Sequence, residues 1–229
     1  MNTLDLVTRA IEALHLVQKV HPEAIIAGGF LRDITLGHMP KDLDIFITEL
    51  PHEDFDIESL RESFPNVVWE DFSNHMEYFS NEVKAVAKLG NIDTDPNAID
   101  MMAYSKEEPR YLPIQLIVLQ SDITPIERVS LFDIGLCQVW SDGKVTERLP
   151  VFQEDFFNKK ITILDAEDYT EFSRSINRAI RFAEKYSFVI DIPTRLKFYE
   201  EQWRTDYKNK EQVAVYDSFG AATPAYVNQ

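Results

Sequence analysis

Cys137 is the only cysteine in the 229 residues, so no disulfide can form within the chain and the fold must stand without a covalent cross-link. No apolar run approaches the roughly eighteen to twenty residues that cross a bilayer. The opening stretch, "MNTLDLVTRAIEALHLVQKV", has acids scattered through an amphipathic pattern instead of the basic start and apolar block of a secretory leader. These absences lead to the expectation of a reducing, cytoplasmic setting with no membrane partner. Basic residues are also scarce: 23 Lys and Arg stand against 39 Asp and Glu, a net charge of −16. Phosphate backbones are held by clustered cations, so broad, nonspecific nucleic-acid binding is excluded and any such contact has to be local. There is no internal repeat, no low-complexity tract, and no Cys/His spacing of a zinc site. What remains is ample for a core, with 45% hydrophobic residues in a chain the length of one domain or one domain with a small appendage.

Apolar residues at Leu4, Val7, Ile11, Leu14 and Val17 follow the three-to-four spacing of a helix lying on a core, closed by His21-Pro22. "AIIAGG" then reads as a short buried strand, "FLRDITLG" as a helix ended by Gly37, and "DLDIFIT" as a second strand. A helix around Phe55 to Phe64 and a strand at "NVVW" come next, before an acidic segment from Glu70 to Arg110 that resists division. Beyond it "LPIQLIVLQ" and "FDIGLCQVW" are strands, and "SDGK" is a turn into "VTERLPV". From Phe172 to Tyr186 a helix sets Phe172, Ile176, Ala179, Ile180, Ala183 and Tyr186 on one side, with Arg174, Arg178, Arg181 and Lys185 interleaved. Another helix follows Pro193. The expected organisation is an α/β part over residues 1–165, a helical part over 166–219 and a loose tail over 220–229.

The chemistry concentrates in "AGGFLRDITLGHMPKDLDIFI", Ala27 to Ile47. Asp42 and Asp44, at i and i+2 on a strand, point to one face about 7 Å apart along the chain, within reach of bridging divalent cations. Carboxylates near a buried strand require a cation or basic partners such as Arg32 and Lys41. The Gly28-Gly29 pair removes side chains where a phosphate would approach a helix start. Strand, glycine turn, helix and carboxylate strand together suit a metal-bound triphosphate.

This stretch resembles, without a gap, the head-domain signature of class II tRNA nucleotidyltransferases and bacterial poly(A) polymerases, members of the DNA polymerase β-like superfamily, with Leu31 and Thr35 replacing the family's valine and leucine. A second similarity lies in "SINRAIRFAEKYSFVID", which is similar to the family's R-x-x-R-A-x-R-F helix, with Ser175 at its first arginine. The resemblance implies a polymerase β-like head with a mixed sheet, a short helical neck, and two-metal phosphoryl transfer. Asp42 and Asp44 would then hold Mg²⁺ or Mn²⁺, Gly28 and Gly29 would cradle the triphosphate, Arg32 would add positive charge to it, and Asp33 would brace the helix. Lys41, Asp133, Arg178 and Arg181 would complete the nucleotide site. RNA phosphates would follow Arg174, Arg178, Arg181 and Lys185.

Departures from the family pattern are equally specific. Phe172 and Ser175 stand where the family has its base-reading Asp and Arg, Gln115 stands where it has an acid, and of its ribose-engaging motif only Asp133 is kept. The partners implied are an NTP and an acceptor that could be an RNA or tRNA 3′ end. Two alternatives stay open: a noncatalytic nucleotide-binding or interaction module on the same fold, and a nucleotidyltransferase that modifies a protein or small molecule.

Overall fold

Helix α1 (Thr3–Gln18) opens the chain. The computed structural model describes residues 3–48, 83–93 and 111–217; the helix expected at 55–64, the "NVVW" strand and the 220–229 tail lie outside the described residues. The buried stripe of α1 is Leu6, Ala10, Leu14 and Val17, whereas Leu4 is 72% exposed. The helix carries two adjacent apolar stripes, and the one with a near-constant four-residue step is the one that packs. His21 closes α1 by donating its N–H to the Val17 carbonyl at 2.9 Å.

Strand β1 (Ile25–Ala27), helix α2 (Gly29–Thr35) and strand β2 (Leu43–Thr48) follow as expected, and Gly37 ends α2 with φ +74°. Then come β3 (Val83–Asp93), β4 (Tyr111–Leu119), α3 (Pro125–Ser130), β5 (Val139–Ser141) and β6 (Thr146–Arg148). These six strands form one sheet in the order β3-β4-β2-β1-β5-β6. Only the β2–β4 pair is parallel, so the sheet is mixed. Side chains alternate across it. Leu43, Ile45 and Ile47 join Ile26, Leu112, Leu116 and Val118 in the core under α1 and α2. Phe46 lies on the opposite face with Ile25, Ala27, Ile117 and Leu119, and Val129 of α3 joins that second core. Each such side chain, fully buried, adds about 1.5–3 kcal/mol.

The expected "FDIGLCQVW" strand is broken. Gly135–Cys137 forms a 3₁₀ turn and only Val139–Ser141 joins the sheet. The turn packs against α4 (Pro150–Asn158), a helix where the sequence suggested continued strand. A Cβ on Gly135 would come 2.4 Å from Asp155 Oδ2 of that helix, so only glycine fits.

A third core lies beyond the sheet. It joins Ile134, Leu136 and Val139 to Phe152, to Ile161 of β7 (Lys160–Thr162) and to Phe172, Ile176, Ala179 and Tyr186 of α5 (Tyr169–Tyr186). Asp168 caps α5, its Oδ1 accepting from Glu171 N at 2.8 Å, and Ser187 ends it in the left-handed conformation. Strand β8 (Val189–Asp191) pairs in parallel with β7, and α6 (Lys197–Asp217) follows a short 3₁₀ turn. The β7–β8 ladder spans the expected division at residue 165. Among the described residues no helix is long and apolar enough to cross a membrane.

Candidate nucleotide site

The site begins where β1 gives way to α2. Gly28 has φ 72° and ψ −120°, a backbone region open to glycine and strained for any L side chain. Its N–H donates to the Val139 carbonyl at 2.9 Å, fastening the turn to β5, and its carbonyl accepts from Arg32 N at 3.0 Å to start α2. The Gly28 N–H is therefore committed within the fold; what this residue gives the site is its turn.

Gly29 faces the chemistry. A Cβ built there would find Arg32 Nη2 at 3.7 Å and Asp42 Oδ1 at 3.8 Å. The bare Cα thus keeps open a space bordered by a guanidinium and a carboxylate. Asp42 immediately precedes β2. Asp44, inside it, lies opposite Gln115 of β4 in the parallel register, and all three residues are half-buried. Strand alternation sets Asp42 and Asp44 on the face away from α1 and α2, because Leu43, Ile45 and Ile47 occupy the other. No group of three or more His, Cys, Asp or Glu positioned for a metal occurs among the described residues. The donors offered here are the Asp42 carboxylate beside the open glycine and the Asp44 carboxylate two residues on, with the Gln115 amide in register opposite Asp44. Such all-oxygen chemistry fits Mg²⁺ or Mn²⁺ and does not fit a tetrahedral zinc site.

Arg32, expected to add positive charge to a triphosphate, is only 7% exposed. Nε donates to Tyr186 Oη at 2.7 Å and to Asp33 Oδ1 at 3.0 Å, Nη1 donates to Cys137 Sγ at 3.2 Å, and the guanidinium lies 4.0 Å from the centre of the Phe182 ring. Burial opposes its charge, but Cys137, Asp33 and Tyr186 together outweigh burial and raise its pKa. The cation therefore borders the glycine from behind. Asp33 braces α2 as expected: it is 2% exposed, accepts from Tyr186 Oη, and takes Lys185 Nζ on Oδ2 at 2.7 Å. Burial pushes the Tyr186 hydroxyl well above the ordinary tyrosine range.

The remaining expected residues divide. Asp133 and Arg178 meet as an ion pair, and Ser175 Oγ also donates to Asp133. Asp133 is thus engaged by α5. Lys185 is drawn to Asp33 and to the Met39 carbonyl, and so serves the junction between α2 and α5. Lys41, Arg174 and Arg181 are exposed. Cys137, expected to pack inside a strand, ends the 3₁₀ turn with its sulfur against Arg32. Tyr186, read from the sequence as a core position, is the residue whose site role the spacing concealed; the only signal was a hydroxyl on an otherwise apolar helix stripe.

No protein-family model matches the chain, and no curated protein matches it. Among solved structures it is similar to a CCA-adding enzyme in its apo form, with TM-score 0.51 and 17% identity over 87% of this chain and 43% of the other. A tRNA-processing enzyme (TM-score 0.49, 19% identity, 82% and 44% covered) and the Thermotoga maritima CCA-adding enzyme complexed with tRNA (0.49, 20%, 82% and 39%) are also similar. The chain spans less than half the length of these structures. The first likeness shows the fold alone: a mixed sheet with helices packed on it, followed by a mainly helical part, arranged as in that CCA-adding enzyme.

Proposed function

We propose that this protein transfers a nucleoside monophosphate from an NTP to an acceptor hydroxyl, releasing pyrophosphate. One observation carries the reading: Gly29, Arg32 and Asp42 converge within 4 Å of one empty Cβ position, with Asp44 on the same strand face. A structural turn does not call for a carboxylate and a guanidinium on either side of a glycine, whereas a triphosphate with its cation does.

Asp42 and Asp44 would hold Mg²⁺ or Mn²⁺. A divalent cation bound there supplies positive charge that eases loss of the acceptor proton and neutralises the leaving pyrophosphate. Gly29 lets the phosphates approach without a side chain in the way. Arg32, held charged beneath that glycine, adds a fixed positive potential that needs no rearrangement when charge develops. Arg174 and Arg181, exposed on α5 with Arg178 between them, give an otherwise acidic chain a local run of cations. That run suits the phosphates next to an RNA 3′ end, including that of a tRNA.

The test is transfer from each of four α-labelled NTPs, with Mg²⁺ or Mn²⁺, to total RNA and protein extract, comparing wild type with Asp42→Ala/Asp44→Ala. Label from wild type alone is the expected result and identifies nucleotide and acceptor class together; label on protein would replace RNA as the acceptor. A folded, NTP-binding wild type that transfers nothing would leave a noncatalytic binding module.

A further inference from the structure

A cluster of buried charge lies outside the carboxylate pair, where α2 meets the last turn of α5. Its partners are more than 150 residues apart in sequence. Tyr186 Oη accepts from Arg32 Nε and donates to Asp33 Oδ1, while Lys185 reaches Asp33 Oδ2. From this cluster the Arg32 guanidinium extends until Nη2 stands 3.7 Å from the Cβ position of Gly29, itself 3.8 Å from Asp42 Oδ1. At seven residues, α2 is too short to be stable by itself and depends on what it touches.

We propose that Tyr186 is a positioning residue: through Asp33 and Arg32 its hydroxyl fixes Gly29 and Asp42 relative to each other, so the seating of α5 sets the geometry of the nucleotide site. Without the hydroxyl, Asp33 Oδ1 and Arg32 keep their direct 3.0 Å contact but lose the shared partner that ties both to α5, leaving Lys185 on Oδ2 as the remaining arm. Buried, charge-linked hydrogen bonds are the ones least easily replaced by water. The Asp133 contacts with Ser175 and Arg178 attach α5 to the sheet domain independently, so loss of the hydroxyl loosens α2 without undocking α5. The consequence for catalysis rests on the function proposed above; the mechanical link does not.

Hydrogen exchange on the full chain reads that link directly. Tyr186→Phe keeps the ring and is expected to speed exchange across residues 28–36 about tenfold or more, leaving residues 116–119 of β4 unchanged. Lys185→Met, which removes the other arm, should act on the same segment. No acceleration at 28–36 in either variant, or equal acceleration in β4, overturns the proposal. Where wild type transfers nucleotide, Tyr186→Phe should also lower kcat more than it raises KM for the NTP; a change in KM alone would count against positioning. A wild type that transfers nothing while residues 28–36 respond removes the proposed activity and leaves the link standing. An active wild type whose residues 28–36 do not respond does the reverse.

Discussion

Gly28 and Gly29 are adjacent, yet alanine at each should fail in a different way. At Gly28 the obstacle is backbone: φ 72° with ψ −120° is strained for any residue with a Cβ. The nearest side-chain atom, Phe132 Cε2 at 3.4 Å, makes only an ordinary contact. Strain of this kind costs about 1–3 kcal/mol, which at about 3 °C per kcal/mol for a chain of this size lowers Tm by roughly 3–9 °C. Gly29 has no positive φ, occupies the first position of α2, and would place its Cβ at van der Waals distance from its two nearest atoms. Gly29→Ala should therefore keep wild-type stability, within about 0.5 kcal/mol. Those two atoms, however, are Arg32 Nη2 and Asp42 Oδ1, so the methyl fills the space assigned to the triphosphate. Urea denaturation combined with titration of a fluorescent NTP analogue in Mn²⁺ separates the effects. Gly28→Ala should lose stability, whereas Gly29→Ala should lose at least tenfold in affinity, about 1.4 kcal/mol, while staying folded. A stable Gly29→Ala protein that binds nucleotide as wild type does would refute the assignment of the cradle.

Asp155 is fully buried, with Oδ2 accepting from Thr162 N at 2.9 Å and Oδ1 from Thr162 Oγ1 at 2.6 Å. Asp155→Ala leaves both donors unpaired and should destabilise by about 2–3 kcal/mol, whereas Asp155→Asn can retain both bonds through its amide. Burial raises the Asp155 pKa against the opposing Thr162 bonds, so the folded state holds this proton more tightly than the unfolded chain. Its contribution is full in acid and falls as pH rises from the ordinary aspartate value through the raised one. Urea denaturation against pH should show that fall in wild type relative to Asp155→Asn; wild-type stability that rises with pH relative to Asp155→Asn would contradict it. Arg174→Glu and Arg181→Glu alter exposed positions on α5 and should leave Tm within a few degrees while weakening RNA binding and flattening its salt dependence by about one unit of slope each. Unaltered salt slopes would remove α5 from the RNA path.

The sequence made legible what short-range patterning controls. Strand, glycine turn, helix and carboxylate strand are contiguous between Ile25 and Thr48, and period and turn chemistry were enough to order them. Gly37 as the end of α2 and "SDGK" as the turn before β6 were visible for the same reason. Less legible was whatever one segment imposes on another. The helix at Pro150–Asn158 was masked by apolar residues that fit a strand as well, and the three-residue strands β7 and β8 have meaning only as a pair. "FDIGLCQVW" has the composition of a strand, but Gly135–Cys137 forms a 3₁₀ turn at the point where Gly135 lies against the Asp155 carboxylate of α4, a contact from a distant segment. At the site, the carboxylate pair and open glycine could be named from spacing. The turning of Arg32 and Asp33 toward the last turn of α5 could not, because Lys185 and Tyr186 lie over 150 residues beyond them.

The central claim is that Asp42 and Asp44 carry metal-dependent nucleotidyl transfer, and pyrophosphate release tests it most directly. Wild-type protein with NTP, total RNA and Mg²⁺ should release pyrophosphate, stop on chelation, and resume when Mg²⁺ or Mn²⁺ is restored. Asp42→Asn/Asp44→Asn, folded to the same Tm, should release none above background. Release that persists in the double variant, or that ignores chelation, would contradict the account.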